Sequence, residues 1–211
     1  MRPLSAVNRG RLAGDVPQSP TMVRAVCFSA WLLMSAVVWE AAGRQGVVVL
    51  HDFRSGCEGW TVQCPCPVSF RHAQQGRFGR GAVALRISSV TGTCEVAIFK
   101  TYRPTLNLRE RVKGRLLALC AWVYLPAGVD EWSVLLGVYC GEDWSWCCSS
   151  LSDTSPEWRR ICLEADSISD PSAIQQMKVV VSSDFADEYT VLLDRVTVLY
   201  EFEGDGEGGE P

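Results

Sequence analysis

The chain has 211 residues, a formal net charge of −4 at pH 7, 47% hydrophobic residues and 21% charged ones. That is enough apolar content to fill the core of one domain, and the acidic balance excludes general nucleic-acid binding through a basic surface. Ten cysteines are many for this length and make the redox compartment the next question.

Residues 1–21 hold no core-forming pattern and are predicted to lie outside the fold. From Met22 the sequence reads Met-Val-Arg, then an uncharged apolar run from Ala25 to Val38, then the small residues Ala41-Ala42-Gly43. This is the charged, apolar and small-residue order of a secretory signal over 22–43. The run is shorter than the ~20 residues of a spanning helix, so no stable membrane span is expected once the signal is removed. The protein is therefore expected to be exported, to the periplasm or the cell exterior, with its folded domain over 44–200.

That domain reads as short β-rich runs with almost no helical periodicity. In order they are Val47 to Phe53, Ala82 to Ser88, Glu95 to Lys100, Leu116 to Tyr124, Trp132 to Cys140, Trp144 to Cys148, Trp158 to Glu164, Gln176 to Ser182 and Tyr189 to Tyr200. Gly141-Glu142-Asp143 between the fifth and sixth is a hairpin turn. The one helical candidate is short, around Pro171 to Gln176. Strands at this spacing predict a sandwich or barrel rather than a parallel α/β sheet. Between Arg71 and Arg115 bases far outnumber acids, and beyond Arg115 acids dominate. The tail over 201–211, with Glu203, Asp205, Glu207 and Glu210 among glycines, is predicted to be disordered.

With Cys27 in the signal, nine cysteines remain as disulfide candidates: Cys57, Cys64, Cys66, Cys94, Cys120, Cys140, Cys147, Cys148 and Cys162. Cys64-Pro65-Cys66 and the adjacent Cys147-Cys148 are too close in sequence to bridge to themselves and are expected to bond to other segments. The odd number leaves at least one thiol either unpaired or pairing with another chain, so a disulfide-linked dimer is one expectation. The paired C-x-x-C spacing of a zinc site is absent. In the last strand, alternation places Leu192, Asp194, Val196, Val198 and Tyr200 on one face, which points Asp194 inward if the valines are in the core.

A further pattern runs from about Val49 to Tyr200. It opens with Asp52-Phe53 and Gly56 to Trp60, continues with Gly79-x-Gly81-Ala-Val-Ala-Leu85, Trp122-Val-Tyr-Leu-Pro126, Trp144-x-Trp146 and Trp158, and closes with Leu193-Asp194-x-Val196. In this order the residues resemble the galactose-binding-like jelly-roll modules, among them many carbohydrate-binding modules. The resemblance implies an all-β jelly-roll sandwich in a single domain, and a non-catalytic protein whose partner is a glycan. It also implies a structural calcium, for which Asp194 and Asp52 are the candidate ligands. Arg54 stands where such modules usually carry a first-strand acid, so an Arg54–Asp194 ion pair in place of the ion is the competing expectation, and no other cofactor is expected.

Sugar-binding sites use aromatic faces and nearby polar groups. Trp60, Trp122 and Trp158 fall on the structural part of the resemblance and are assigned to the core, as is Trp146. Trp144, with Glu142 and Asp143 in the turn before it, Trp132, and Tyr102 in an open-looking stretch are the candidate ligand-binding residues. No G-x-S-x-G elbow, H-E-x-x-H helix or phosphate loop is present, so an enzyme is not expected. The alternative is a structural or envelope protein, like the periplasmic flagellar outer-layer proteins, that uses the sandwich to contact a cell-envelope protein and no glycan.

Overall fold

A computed structural model describes residues 45–79, 81–88, 92–127, 132–151, 156–184 and 187–202. The predicted signal segment and all of the tail but Glu201 and Phe202 lie outside the described residues. Two antiparallel sheets face each other. The six-stranded sheet contains β1 (Gln45–His51), β3 (Val68–Ala73), β4 (Ala82–Ile87), β6 (Gly114–Leu125), β9 (Glu157–Glu164) and β11 (Tyr189–Phe202). Its order is β3-β4-β11-β6-β9, with β1 also pairing β11. The second sheet contains β2 (Thr61–Gln63), β5 (Thr93–Leu106), β7 (Trp132–Cys140), β8 (Asp143–Leu151) and β10 (Ile174–Asp184), in the order β2-β5-β10-β7-β8. Among the described residues the chain makes two single-turn 3₁₀ helices, Arg109–Arg111 and Ala165–Ser167. The fold is the expected all-β sandwich.

The nine predicted runs all form strands, and two short ones, β2 and β3, went unpredicted. Their prolines and cysteines, from Cys64 to Pro67, interrupt the alternation that would mark them. The predicted helical segment around Pro171 is instead a turn leading into β10, where Ile174 is fully buried.

Alternation does the sorting in each strand. In β7, Val134, Leu136 and Val138 enter the core, while Ser133, Leu135 and Tyr139 face out. In β10, Met177, Val179 and Val181 enter the core opposite them. In β6, Leu119, Ala121, Val123 and Leu125 are inward, so Cys120, Trp122 and Tyr124 lie on the other side of the six-stranded sheet.

Strand β11 departs from the alternation read in the sequence. A bulge falls between Asp194 and Val196, with Arg195 at φ 41°. Val191 and Leu193 before it and Val196 and Val198 after it all reach the core. Asp194 therefore points away from the core that it was expected to enter, and it is buried on the opposite side of the sheet.

Two of the cysteine pairs are disulfides, Cys66–Cys94 and Cys120–Cys162. The second joins directly opposed residues of β6 and β9, with Cα atoms 4.1 Å apart. Cys57, Cys64, Cys140, Cys147 and Cys148 are free among the described residues, and Cys148 is the exposed one. Because Cys120–Cys162 closes a loop 42 residues apart in sequence, replacing both with Ala is expected to cost about 4 kcal/mol by the chain-entropy relation. Urea unfolding of the oxidised protein and the double variant checks this as a lower midpoint, with a steeper slope because the unfolded chain without the crosslink exposes more surface.

Candidate functional site

The outer face of the five-stranded sheet collects polar and aromatic side chains in rows set by the strand register. One row runs Thr101–Gln176–Tyr139–Trp144 across β5, β10, β7 and β8. The next crosses all five strands as Thr61–Phe99–Lys178–Gly137–Trp146. A third runs Gln63–Ala97–Val180–Leu135–Cys148.

Three rings adjoin on this face, two of them stacked. Trp144 and Trp146 are stacked with centroids 4.8 Å apart and planes at 18°. Tyr139, opposite Trp144 on the neighbouring strand β7, lies 5.4 Å from it with the planes tilted at 39°. Lys178 places Nζ 4.7 Å from the centre of the Trp144 ring, a cation–π contact that leaves ammonium hydrogens free. Gln176 Nε2 donates to Thr101 Oγ1 at 3.2 Å, which fixes the amide in the same row.

Trp146 is 40% exposed. It was assigned to the core from sequence, and the register corrects this, since Trp144 and Trp146 share the outward parity of β8. A glycine makes room for it. A Cβ on Gly137 would sit 2.3 Å from Trp146 Cε3, so any side chain there displaces the indole.

The other predicted ligand-binding residues divide. Glu142 is exposed in the two-residue turn between β7 and β8, and Asp143 is exposed at the start of β8, at the Trp144 end of the face. Trp132 is only 1% exposed, on the inward parity of β7, and packs edge-on against Tyr189 at 6.2 Å. Tyr102 also turns inward: its hydroxyl lies 2.9 Å from His51 Nε2 and 3.2 Å from Met177 Sδ. Neither belongs to the outer face. Tyr139, Gln176 and Lys178, which the sequence reading passed over, take their place; the alternation of β7 and β10 was the signal that could have found them.

The calcium candidates are not gathered into one ligand set. Asp52 Oδ2 lies 3.1 Å from Arg54 Nε, and its Oδ1 accepts the Arg54 N–H. The expected Arg54–Asp194 pair is thus replaced by a local one, because Arg54 follows Asp52 closely enough to close an Asx turn. Asp194, 2% exposed, lies under the loop at Gly76–Phe78 and accepts the Phe78 N–H at 3.1 Å. Burial pushes its carboxyl up, and backbone N–H groups of Phe78, Arg195 and Arg77, with the Arg195 charge, pull it down. A Cβ on Gly76 would fall 2.6 Å from Asp194 Oδ2, so glycine lets the loop close over the carboxylate. A ring of N–H donors suits a bare carboxylate and not a calcium ion, which takes oxygen ligands. Among the described residues, the group of metal-ligand side chains that clusters within 4.8 Å is Cys64, Cys66 and Cys94, and it includes no acid.

No protein family and no curated protein sequence matches the chain. Solved structures match it by fold. A carbohydrate-binding module of the β-sandwich superfamily, described for its promiscuous specificity, aligns with a TM-score of 0.54 at 14% identity over 70% of this chain and 60% of that one. A family 11 carbohydrate-binding module from Clostridium thermocellum, in complex with a β-1,3-1,4-mixed-linked tetrasaccharide, aligns at 0.52 and 12% identity over 75% of this chain and 98% of that one. An agarase aligns at 0.53 and 8% identity over 74% of this chain and 25% of that one. The chain spans 60% of the first of these proteins and a quarter of the agarase. At such identities the likeness shows the fold alone, a two-sheet β-sandwich like those of the proteins named. No helix among the described residues is long and apolar enough to cross a membrane.

The Tyr102 cluster generates a pH prediction. His51 is 7% exposed, with Nδ1 2.7 Å from Glu58 Oε2. Glu58 Oε1 accepts the Phe53 N–H, and Lys100 donates to the Glu58 carbonyl. Both ring nitrogens of His51 are engaged, Nδ1 with Glu58 Oε2 and Nε2 with the Tyr102 hydroxyl. Desolvation lowers the His51 pKa, against the opposing pull of the Glu58 hydrogen bond. The folded protein thus resists a proton that the unfolded chain accepts near pH 6.5, so stability is full above that pH and falls as pH drops toward the folded-state value. The melting temperature is expected to decline below about pH 6.5. His51→Gln, which keeps a neutral donor and acceptor, should flatten that decline relative to the parent protein.

Proposed function

We propose that this protein is an exported, non-catalytic carbohydrate-binding protein whose site is the outer face of the five-stranded sheet. The observation that carries the reading is the Trp144–Trp146 stack with Tyr139 tilted against it, beside Lys178, Gln176 and Thr101. Indole and phenol faces cover the apolar face of a sugar ring, and a fixed amide, a hydroxyl and an ammonium bond its hydroxyl groups. The face spans five strands, roughly 20 Å at ~4.8 Å per strand, which suits several linked sugar units better than one.

Three further facts support the reading. The fold is shared with a module that is seen in complex with a mixed-linked tetrasaccharide. His51, a natural candidate for acid–base chemistry, has both ring nitrogens engaged in a buried network with Glu58 and Tyr102. The apolar run before residue 44 supports export.

A glycan array with the full chain tests the reading. Binding to neutral β-linked oligosaccharides is expected. Trp144→Ala and Trp146→Ala should each weaken it by about 2 kcal/mol, roughly thirty-fold in Kd. Gly137→Val should weaken it comparably without removing an aromatic residue, because it dislodges Trp146 from its seat. Absence of binding by the folded protein across neutral glycans would overturn the proposal, as would binding indifferent to all three substitutions.

A further inference from the structure

The opposite side of the molecule carries a different chemistry. On the outer face of the six-stranded sheet, Asp194, Trp122 and Arg160 are neighbours in one row across β11, β6 and β9. The loop that closes over Asp194 brings Arg77 and Phe78 onto the same spot. Phe78 and Trp122 meet edge to face at 5.6 Å. Around these two rings stand three guanidinium groups. Arg77 Cζ is 3.9 Å from the Trp122 centroid, Arg195 Cζ is 4.1 Å from that of Phe78, and Arg160 Cζ is 5.9 Å from that of Trp122.

Four arginines elsewhere in the chain sit against acids. Arg54 meets Asp52, Arg86 meets Glu188, Arg115 meets Glu201 and Arg159 meets Glu157. Among the described residues, Arg77, Arg160 and Arg195 have no carboxylate within 4.0 Å. Asp194, in the same row as Arg160 and next in sequence to Arg195, is 2% exposed and accepts a backbone N–H. In a protein of net charge −4 what sets this spot apart is that three guanidiniums gather around two neighbouring rings, a local concentration that the overall charge does not produce. A guanidinium stacked on a ring keeps its in-plane N–H groups free for a planar acceptor such as a carboxylate.

We propose that this face is a second binding surface, for an acidic polysaccharide with carboxylates on successive sugar units. One exposed guanidinium–carboxylate contact is weak, so a single small anion is not held. A polymer that meets three guanidiniums at once gains by multivalency. Sugar rings are favoured over a bare polyanion because the adjacent row of the face carries Tyr124 and Trp158, with ring centroids 5.6 Å apart. The surface is separate from the Trp144 face and does not depend on it.

The experiment measures binding of the full chain to polygalacturonate, to its methyl-esterified neutral form, and to polyglutamate as a charged polymer without rings. Polygalacturonate is expected to bind, to weaken at least tenfold between 0.05 and 0.5 M salt, and to be preferred over both controls. Arg77→Ala/Arg160→Ala should weaken it roughly tenfold, Arg77→Lys/Arg160→Lys by less, and Trp144→Ala should leave it unchanged. Arg160→Ala alone, at an exposed position, serves if the double variant does not fold. Three results would overturn the proposal: no binding of polygalacturonate by folded protein, binding indifferent to the arginine substitutions, or equal binding of polyglutamate. Loss of neutral-glycan binding in Trp144→Ala with polygalacturonate binding retained keeps the two sites' fates distinct.

Discussion

Strand β11 lies between β4 and β6 in the six-stranded sheet and has two apolar pairs to bury, Val191 with Leu193 and Val196 with Val198. Their spacing does not fit one alternation. The strand resolves the conflict with one extra residue, Arg195, held in the left-handed region. Much of the outer face follows from that bulge. It turns Asp194 away from the core and sends the Arg195 side chain to the same outer side. A carboxylate there needs hydrogen-bond donors, and the Gly76–Phe78 loop supplies them by folding down over the sheet. The loop brings Arg77 and Phe78 with it, so a packing constraint inside the sandwich ends as a cationic aromatic patch outside it.

The five-stranded sheet works by the opposite rule. From Gln176 to Ser182, β10 keeps strict register with both neighbours, and its valines alternate with polar residues except at Val180. Outward positions of four strands therefore line up in rows, and the rows determine which residues meet. Trp146 reaches the surface because β8 pairs it with Gly137, the one outward residue of β7 that has no side chain. Aromatic residues held on strands in this way have fewer conformations to lose on binding than residues on loops.

Much of this was legible in the sequence, and the failures share a cause. Period-2 runs with turn residues between them gave the sandwich and the nine longer strands. The jelly-roll resemblance agreed with the solved structures in fold. Trp144 was singled out because it follows a hairpin turn beside a second tryptophan. What a linear pattern does not carry is the offset between strands. Trp132 and Tyr102 have the composition of site residues and the parity of core residues. Trp146 has the opposite mismatch. A bulge is one residue long and looks like ordinary alternation until the pairing is known, so Asp194 was placed on the wrong side. Arg54 was matched to Asp194 by analogy, while Asp52, two residues away, offered a local partner at no cost in loop closure.

The thickness of the sandwich decides how the two outer faces relate. Two packed sheets are separated by roughly 10 Å of side chains, and here that layer is a closed core from Phe53 to Val198 with Trp132, Leu136 and Met177 at most 1% exposed. Such a core transmits little between its surfaces unless a strand shifts register, and the register on both sides is pinned, by the β11 bulge in one sheet and by five paired strands in the other. The aromatic stack and the arginine cluster are therefore two independent chemistries on one rigid body. A ring-rich face with one lysine and a face with three guanidiniums lie on opposite sides of the sandwich, so a ligand on one would not meet a ligand on the other.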